Sequence, residues 1–195
     1  MMIHFITGNS EKFNDARRHF DSCGINLKQT IMFVPEIQAE HANEVCKKKA
    51  EYVSGKINLP FFVEDSSFHI PALKEFPGVY VKYVLETLGT EGLLKVMSGI
   101  KNRECYFRSC ICYYNEKKEK HEFTFIRDNL YLTEKPYRSI HGWSQLWNII
   151  GLSDYGKHFS ELNPLQASAL EDKWRKETPF TQLTDFIREV NQDDV

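Results

Sequence analysis

Long apolar runs are missing from this 195-residue sequence. Nothing in it approaches the roughly 18 consecutive apolar residues of a membrane-spanning helix, so no segment reads as a helical anchor. The opening Met1-Met2-Ile3-His4-Phe5-Ile6-Thr7 turns polar too quickly for the core of a secretory signal, and a cytoplasmic protein with no membrane partner is expected. An excess of one charge is missing as well. The 25 Lys and Arg stand against 27 Asp and Glu, a net charge of -2 with a pI near 6.4. That balance gives no global attraction to a nucleic-acid backbone, so nucleic acid is not an expected partner and any phosphate must be gripped locally. The five cysteines (Cys23, Cys46, Cys105, Cys110 and Cys112) are odd in number and have no C-x-x-C spacing, which argues against a disulfide framework and a zinc knuckle. Cys110 and Cys112 share one face of a predicted strand and read as packing residues. Internal repeats and low-complexity linkers are absent too.

What is present suits one compact domain spanning 1–195, because 42% hydrophobic residues in a chain of this length can bury a substantial core. An apolar run over 2–6 ends at Thr7-Gly8-Asn9-Ser10, after which Phe13, Ala16, Arg17 and Phe20 fall at helical spacing. That reads as strand, turn and helix. A second strand is predicted over 27–34, a helix over 39–56 and a brief strand over 59–63 that delivers Glu64-Asp65-Ser66-Ser67 to its carboxyl end. A turn at Phe76-Pro77-Gly78 precedes a helix over 79–88 and another to about Met97. Aromatic and β-branched stretches over 104–114 and 121–132 flank a charged loop and form a predicted hairpin. A Gly-and-polar stretch over 139–156 then leads to two helices, the last capped by Thr178 with Pro179 in its first turn. The fold class is α/β, a mixed sheet with flanking helices.

Three groups of residues suit phosphate chemistry. A strand that ends in the glycine turn Thr7-Gly8-Asn9-Ser10 and opens a helix points backbone N–H groups outward, where they and the helix dipole attract phosphate. Lys12 in the first turn adds a full charge. The ordinary alternative is a turn capped by Ser10 with a solvated lysine. Glu36 follows the second strand and Glu64-Asp65 the third, and carboxylates leaving two strands of an open sheet can converge on one Mg²⁺ held together with substrate phosphates. Any one of them alone reads more readily as a solvated loop end. The run Lys47-Lys48-Lys49 is a solvated helix face or the source of one triphosphate contact, and spacing does not choose which lysine. Phe76-Pro77-Gly78-Val79-Tyr80-Val81-Lys82 fits a structural turn and a binding element equally.

In this order the pieces resemble the inosine triphosphate pyrophosphatase family, which hydrolyses non-standard purine nucleoside triphosphates to the monophosphate and pyrophosphate. Thr7-Gly8-Asn9-Ser10-Glu11-Lys12 looks like that family's T-G-N-x-x-K, Glu36-Ile37-Gln38 its E-x-Q and Lys49-Ala50 its K-A. Val63-Glu64-Asp65-Ser66 is similar to V-E-D-T, and Ala72-Leu73 through Lys82 to A-L-x-x-x-P-G-x-Y-x-K. The resemblance implies an elongated mixed β-sheet with flanking helices, two lobes around a central cleft and a homodimer. It also implies Glu36 and Asp65 as Mg²⁺ ligands, with Asp65, Glu64 and Lys12 catalytic. Substrate contacts are implied for Thr7, Asn9, Ser10, Lys12, Lys49, Ser66, Trp143 and Lys173.

The carboxyl-terminal half departs from the pattern. His141-Gly142-Trp143-Ser144-Gln145-Leu146-Trp147 resembles F-G-W/Y-D-P-x-F with Ser144 in place of the acid, and Lys157-His158-Phe159-Ser160-Glu161-Leu162 resembles K-T-F-A-E-L. Where the family has K-N-x-x-S-H-R this chain has Ala167-Ser168-Ala169-Leu170-Glu171-Asp172-Lys173. The missing groups belong to the family's base-reading pocket, so the expectation is retained phosphate chemistry with altered base selection. His141, His158, Lys173 and Arg175 are candidate substitutes. A non-catalytic nucleotide sensor and a pyrophosphatase for pyrimidine or modified nucleotides are the alternative readings.

Overall fold

The computed structural model describes residues 2–138 and 144–193. Its strands are β1 (Met2–Ile6), β2 (Asn26–Thr30), β3 (Phe61–His69), β4 (Pro77–Gly78), β5 (Glu104–Tyr114), β6 (Lys120–Leu132), β7 (Ile150–Leu152) and β8 (Lys157–His158). Its helices are α1 (Ser10–Ser22), α2 (Ala42–Val53), α3 (Val81–Thr87), α4 (Gly89–Val96), α5 (Pro164–Lys176) and α6 (Thr181–Asp193). The sheet runs β2-β1-β3-β5-β6-β7-β8, with β4 against β3. β1 pairs parallel with β2 and β3, and β7 is antiparallel to β6 and β8, so the mixed α/β class expected from the sequence is observed. Among the described residues no helix is long and apolar enough to cross a membrane.

The chain divides into two compact units. The first comprises 1–65, 109–125 and 174–195, the second 66–108 and 126–173. In the first, inward residues of β1 (Ile3, Phe5) and α1 (Ala16, Phe20) meet Phe62, Ile111, Tyr113 and the α6 residues Leu183 and Ile187. Phe62 is the hub: its ring stacks on Phe5 at 4.4 Å and on Phe20 at 5.6 Å, with Phe180 tilted against it at 6.1 Å. Offset and tilted rings are the geometry aromatic quadrupoles favour, and each ring buries a large apolar area.

In the second unit Phe107 bridges Phe68 at 4.9 Å and Trp147 at 5.1 Å, and Phe159 meets Trp147 edge-on. Arg103 ties the unit's backbone together, donating to the carbonyls of Leu132 and Thr133 at 2.6 Å each and of Met97 at 3.2 Å.

Several boundaries differ from the sequence expectation. β2 stops at Thr30, before 31–34. β3 does not end at Val63; Ser67, Phe68 and His69 are buried and extend it, so Glu64, Asp65 and Ser66 sit in its middle. Phe68 and His69 pair with Gly78 and Pro77, which makes part of the expected turn a short strand. β7 and β8 lie in or just beyond the stretch read as loop.

Candidate active site

The glycine turn after β1 is built as a helix start, and Asn9 rather than Ser10 is its cap. Asn9 has an extended backbone, and its Oδ1 accepts from the Lys12 N–H at 3.0 Å. Thr7 supports the turn from beneath, its Oγ1 accepting from the Asn9 N–H at 3.1 Å. Gln29 on β2 donates to the Thr7 carbonyl at 3.1 Å, a contact the sequence reading missed. A polar residue on a strand beside the turn was its only signal. The turn leaves Asn9 and Ser10 exposed, and the first-turn amides of a helix have no partner within it.

Consecutive residues on a strand face opposite sides. Glu64 therefore goes with α1 and Asp65 with α2. Lys12 Nζ donates to Glu64 Oε2 at 2.6 Å, and that carboxylate is 3% exposed. Lys49 Nζ donates to Asp65 Oδ1 at 2.6 Å and to Glu36 Oε1 at 2.7 Å. The Glu36 side chain is largely exposed on the segment after β2, whereas Lys49 and Asp65 are mostly buried. The geometry also separates the lysine run: Lys47 pairs with Glu122 at 3.0 Å, Lys48 with Glu51 at 2.7 Å, and Lys49 alone reaches the strand carboxylate.

In this cluster Glu64 faces Lys12, and Glu36 and Asp65 face Lys49. Burial pushes the Asp65 carboxyl above its ordinary range; Lys49 pulls it back and Glu64 pushes it up again, leaving it raised. Burial pulls the Lys49 ammonium down, but Asp65 and Glu36 outweigh that and raise it. Burial thus acts in opposite directions on the two groups, and the close carboxylates decide the outcome at Lys49.

The donor set fits Mg²⁺. Glu36 and Asp65 already converge on one cationic nitrogen, and Mg²⁺ is commonly held by one or two carboxylates while water and substrate phosphates complete its shell. Among the described residues no group of three or more His, Cys, Asp or Glu side chains surrounds one point, so a closed all-protein cage is not the arrangement offered.

Thr7, Asn9, Ser10, Lys12, Glu36, Lys49, Glu64 and Asp65 thus all belong to the first unit. Ser66 and Lys173 belong to the second, and Lys173 Nζ lies 3.9 Å from Asp154 Oδ2. Trp143 and His141 lie outside the described residues. His158, a candidate substitute for the base contacts, is fully buried, with Nδ1 2.8 Å from Ser160 Oγ and Nε2 2.7 Å from the Trp147 carbonyl. It caps the turn over Phe159–Glu161 and stacks on Tyr137 at 4.4 Å, which makes it a structural residue.

Residues 3–172 match the model of the Ham1 family. The dITP/XTP pyrophosphatase of Thermococcus kodakarensis is 40% identical over 134 residues, 69% of this chain and 72% of that protein. That of Methanothermobacter marburgensis is 31% identical over 182 residues, 93% of this chain and 95% of its own length. Among solved structures, a HAM1 protein from Coxiella burnetii superposes with a TM-score of 0.76 at 19% identity, covering 97% of this chain and 99% of that one. The Staphylococcus aureus Ham1 protein does so at 0.75 with 18% identity and the same coverage. At such identities the structures speak for the fold, whereas the family match and the relatives speak for descent: the chain belongs to the Ham1 family.

Proposed function

We propose that this chain is a cytoplasmic, Mg²⁺-dependent nucleoside triphosphate pyrophosphatase. It hydrolyses ribo- and deoxyribonucleoside triphosphates, non-standard purine ones among them, to monophosphate and pyrophosphate, with a base preference altered from that of its relatives. The observation that carries the reading is Lys49 held between Glu36 and Asp65. The coarser activity rests on membership in a family whose relatives are named dITP/XTP pyrophosphatases. Five free cysteines, four of them buried, suit a reducing compartment. A homodimer follows from the family resemblance, and sedimentation of the purified protein tests it.

Each residue has a task in that reaction. Glu36 and Asp65 would hold a Mg²⁺ ion, which would supply Lewis-acid polarisation of the phosphate and of the attacking water. Asp65, more basic than an ordinary carboxylate because of its burial, orients that water and takes its proton. Thr7 and Asn9 shape the turn that presents the Ser10 amide and hydroxyl to phosphate oxygens, with the Asn9 side chain and Ser66 as further polar contacts. Lys12 and Lys49 neutralise charge as pyrophosphate departs, and Glu64 positions Lys12. Trp143 and Lys173 contact the base.

Pyrophosphate release from a panel of standard and modified triphosphates with Mg²⁺ tests the proposal. Turnover of at least one is expected; binding without product would turn the reading to a nucleotide sensor. Lys173→Arg restores a planar donor fork and should raise kcat/KM for inosine triphosphate relative to adenosine triphosphate. An unchanged ratio would remove Lys173 from the pocket.

A further inference from the structure

Lys49 stands on the same pair of carboxylates that the proposed reaction gives to Mg²⁺. Its Nζ donates to Asp65 Oδ1 at 2.6 Å and to Glu36 Oε1 at 2.7 Å, so α2, β3 and the segment after β2 meet on one ammonium. The Lys49 and Asp65 side chains are only 13% and 15% exposed, whereas that of Glu36 is 67% exposed. The cluster is therefore closed at Asp65 and open to solvent at Glu36. Lys12 has no share in it, because its ammonium donates to Glu64 Oε2 at 2.6 Å and consecutive strand residues face opposite sides.

Two cations drawn to one pair of carboxylates repel each other, and the repulsion is strongest where water is scarce. A divalent ion approaching Glu36 and Asp65 meets an ammonium already in contact with both. For the ion to bind, the ammonium has to withdraw. A mostly buried lysine does not give up its carboxylates at low cost unless another anion takes their place. Triphosphate is an anion of that kind, and it would reach the site together with the metal.

We propose that Lys49 is an internal counter-ion that holds the place of the metal: in the ligand-free protein it neutralises Glu36 and Asp65 and keeps Mg²⁺ affinity low, so that Mg²⁺ enters with triphosphate rather than alone. The inference rests on the Mg²⁺-dependent nucleotide reading and deepens it by setting an order of binding. Both carboxylates and the lysine belong to the first unit.

Calorimetric titration of Mg²⁺ alone into wild type, Lys49→Met and Lys49→Gln tests this without nucleotide or turnover. Both variants should bind Mg²⁺ about tenfold or more tightly than wild type. Added Mg²⁺ should also raise their thermal midpoints more than that of wild type, because the ion replaces the charge that buried Asp65 has lost. Wild type, in turn, should bind the magnesium complex of inorganic triphosphate about tenfold or more tightly than Mg²⁺ alone. Affinities for Mg²⁺ within about twofold among the three proteins would overturn the proposal. So would weaker Mg²⁺ binding by the variants, which would make Lys49 the residue that holds Glu36 in place for the metal. Pyrophosphate release by wild type is read separately. Turnover with no gain in Mg²⁺ affinity in the variants would leave the hydrolase standing without the counter-ion role, and a gain in affinity with no turnover would leave the counter-ion role standing without the hydrolase.

Discussion

Burial raises the Asp65 carboxyl above its ordinary range, and under the proposed function its exchange separates chemistry from binding. Asp65→Asn keeps the shape but removes the proposed metal ligand and base. Turnover should fall by about 10²–10⁴-fold while calorimetric affinity for the triphosphate changes far less. Equal losses would make Asp65 a structural residue. A second residue-level test concerns Lys74, which sits at φ 54° and ψ 48° just after the short turn over Pro71–Leu73. A left-handed conformation costs a non-glycine residue about 1–2 kcal/mol, and glycine's extra freedom in the unfolded chain returns about 0.5–1 of that. Lys74→Gly should therefore leave the thermal midpoint unchanged or raise it slightly; a clear drop would show that the lysine side chain contributes to the fold. Sequence marks the charged candidates but does not give the direction in which each one points. Spacing did not choose among Lys47, Lys48 and Lys49, because a helix turns about 100° per residue and only the sheet to which it docks decides which one points inward. The family resemblance implies Lys49, and Lys49 is the member of the run that meets Glu36 and Asp65.

Among the elements, β3 ties core to site. Phe62 anchors its first half between Phe5 and Phe20, two residues ahead of Glu64 and three ahead of Asp65. Phe62→Ala should cost about 3–5 kcal/mol of unfolding free energy, measurable by denaturant titration. A loss below about 1 kcal/mol would mean that the core collapses around the gap. The strand's start was legible from its apolar run, but its continuation was not. Glu64-Asp65-Ser66 reads as an exit to solvent, yet buried ion pairs and the pairing of Phe68 and His69 with β4 keep the chain extended. β7 was hidden for another reason. Gly151 looks like a breaker, but the absence of a side chain there lets the Tyr131 ring of the partner strand lie across it; an added Cβ would stand 2.3 Å from that ring. Compensation by a cross-strand neighbour has no local signature.

At the scale of the molecule, neither unit is one continuous stretch, and the first draws on three. The α6 residues Leu183 and Ile187, with Phe180 just ahead of the helix, complete the core around Phe5, Phe20 and Phe62. A variant ending at residue 178 should lose cooperative thermal unfolding and precipitate on expression. A soluble truncated protein with wild-type circular dichroism would refute that dependence. The α/β class and the amino-terminal motifs were legible because strand, turn and helix succeed one another locally there. The division into units was not, since it arises from pairings across more than a hundred residues.

That threading governs how the protein can be made. Synthesis runs from β1 toward α6, so the apolar faces of β1, α1 and β3 emerge long before the helix that covers them. Local hairpins can form as they leave the ribosome, but the first unit cannot close until nearly the whole chain is available, and long-range closure of this kind is slow. The nascent chain therefore carries an uncovered phenylalanine cluster through most of its elongation, and yield in a cell should depend on chaperone supply more steeply than the stability of the finished fold would indicate.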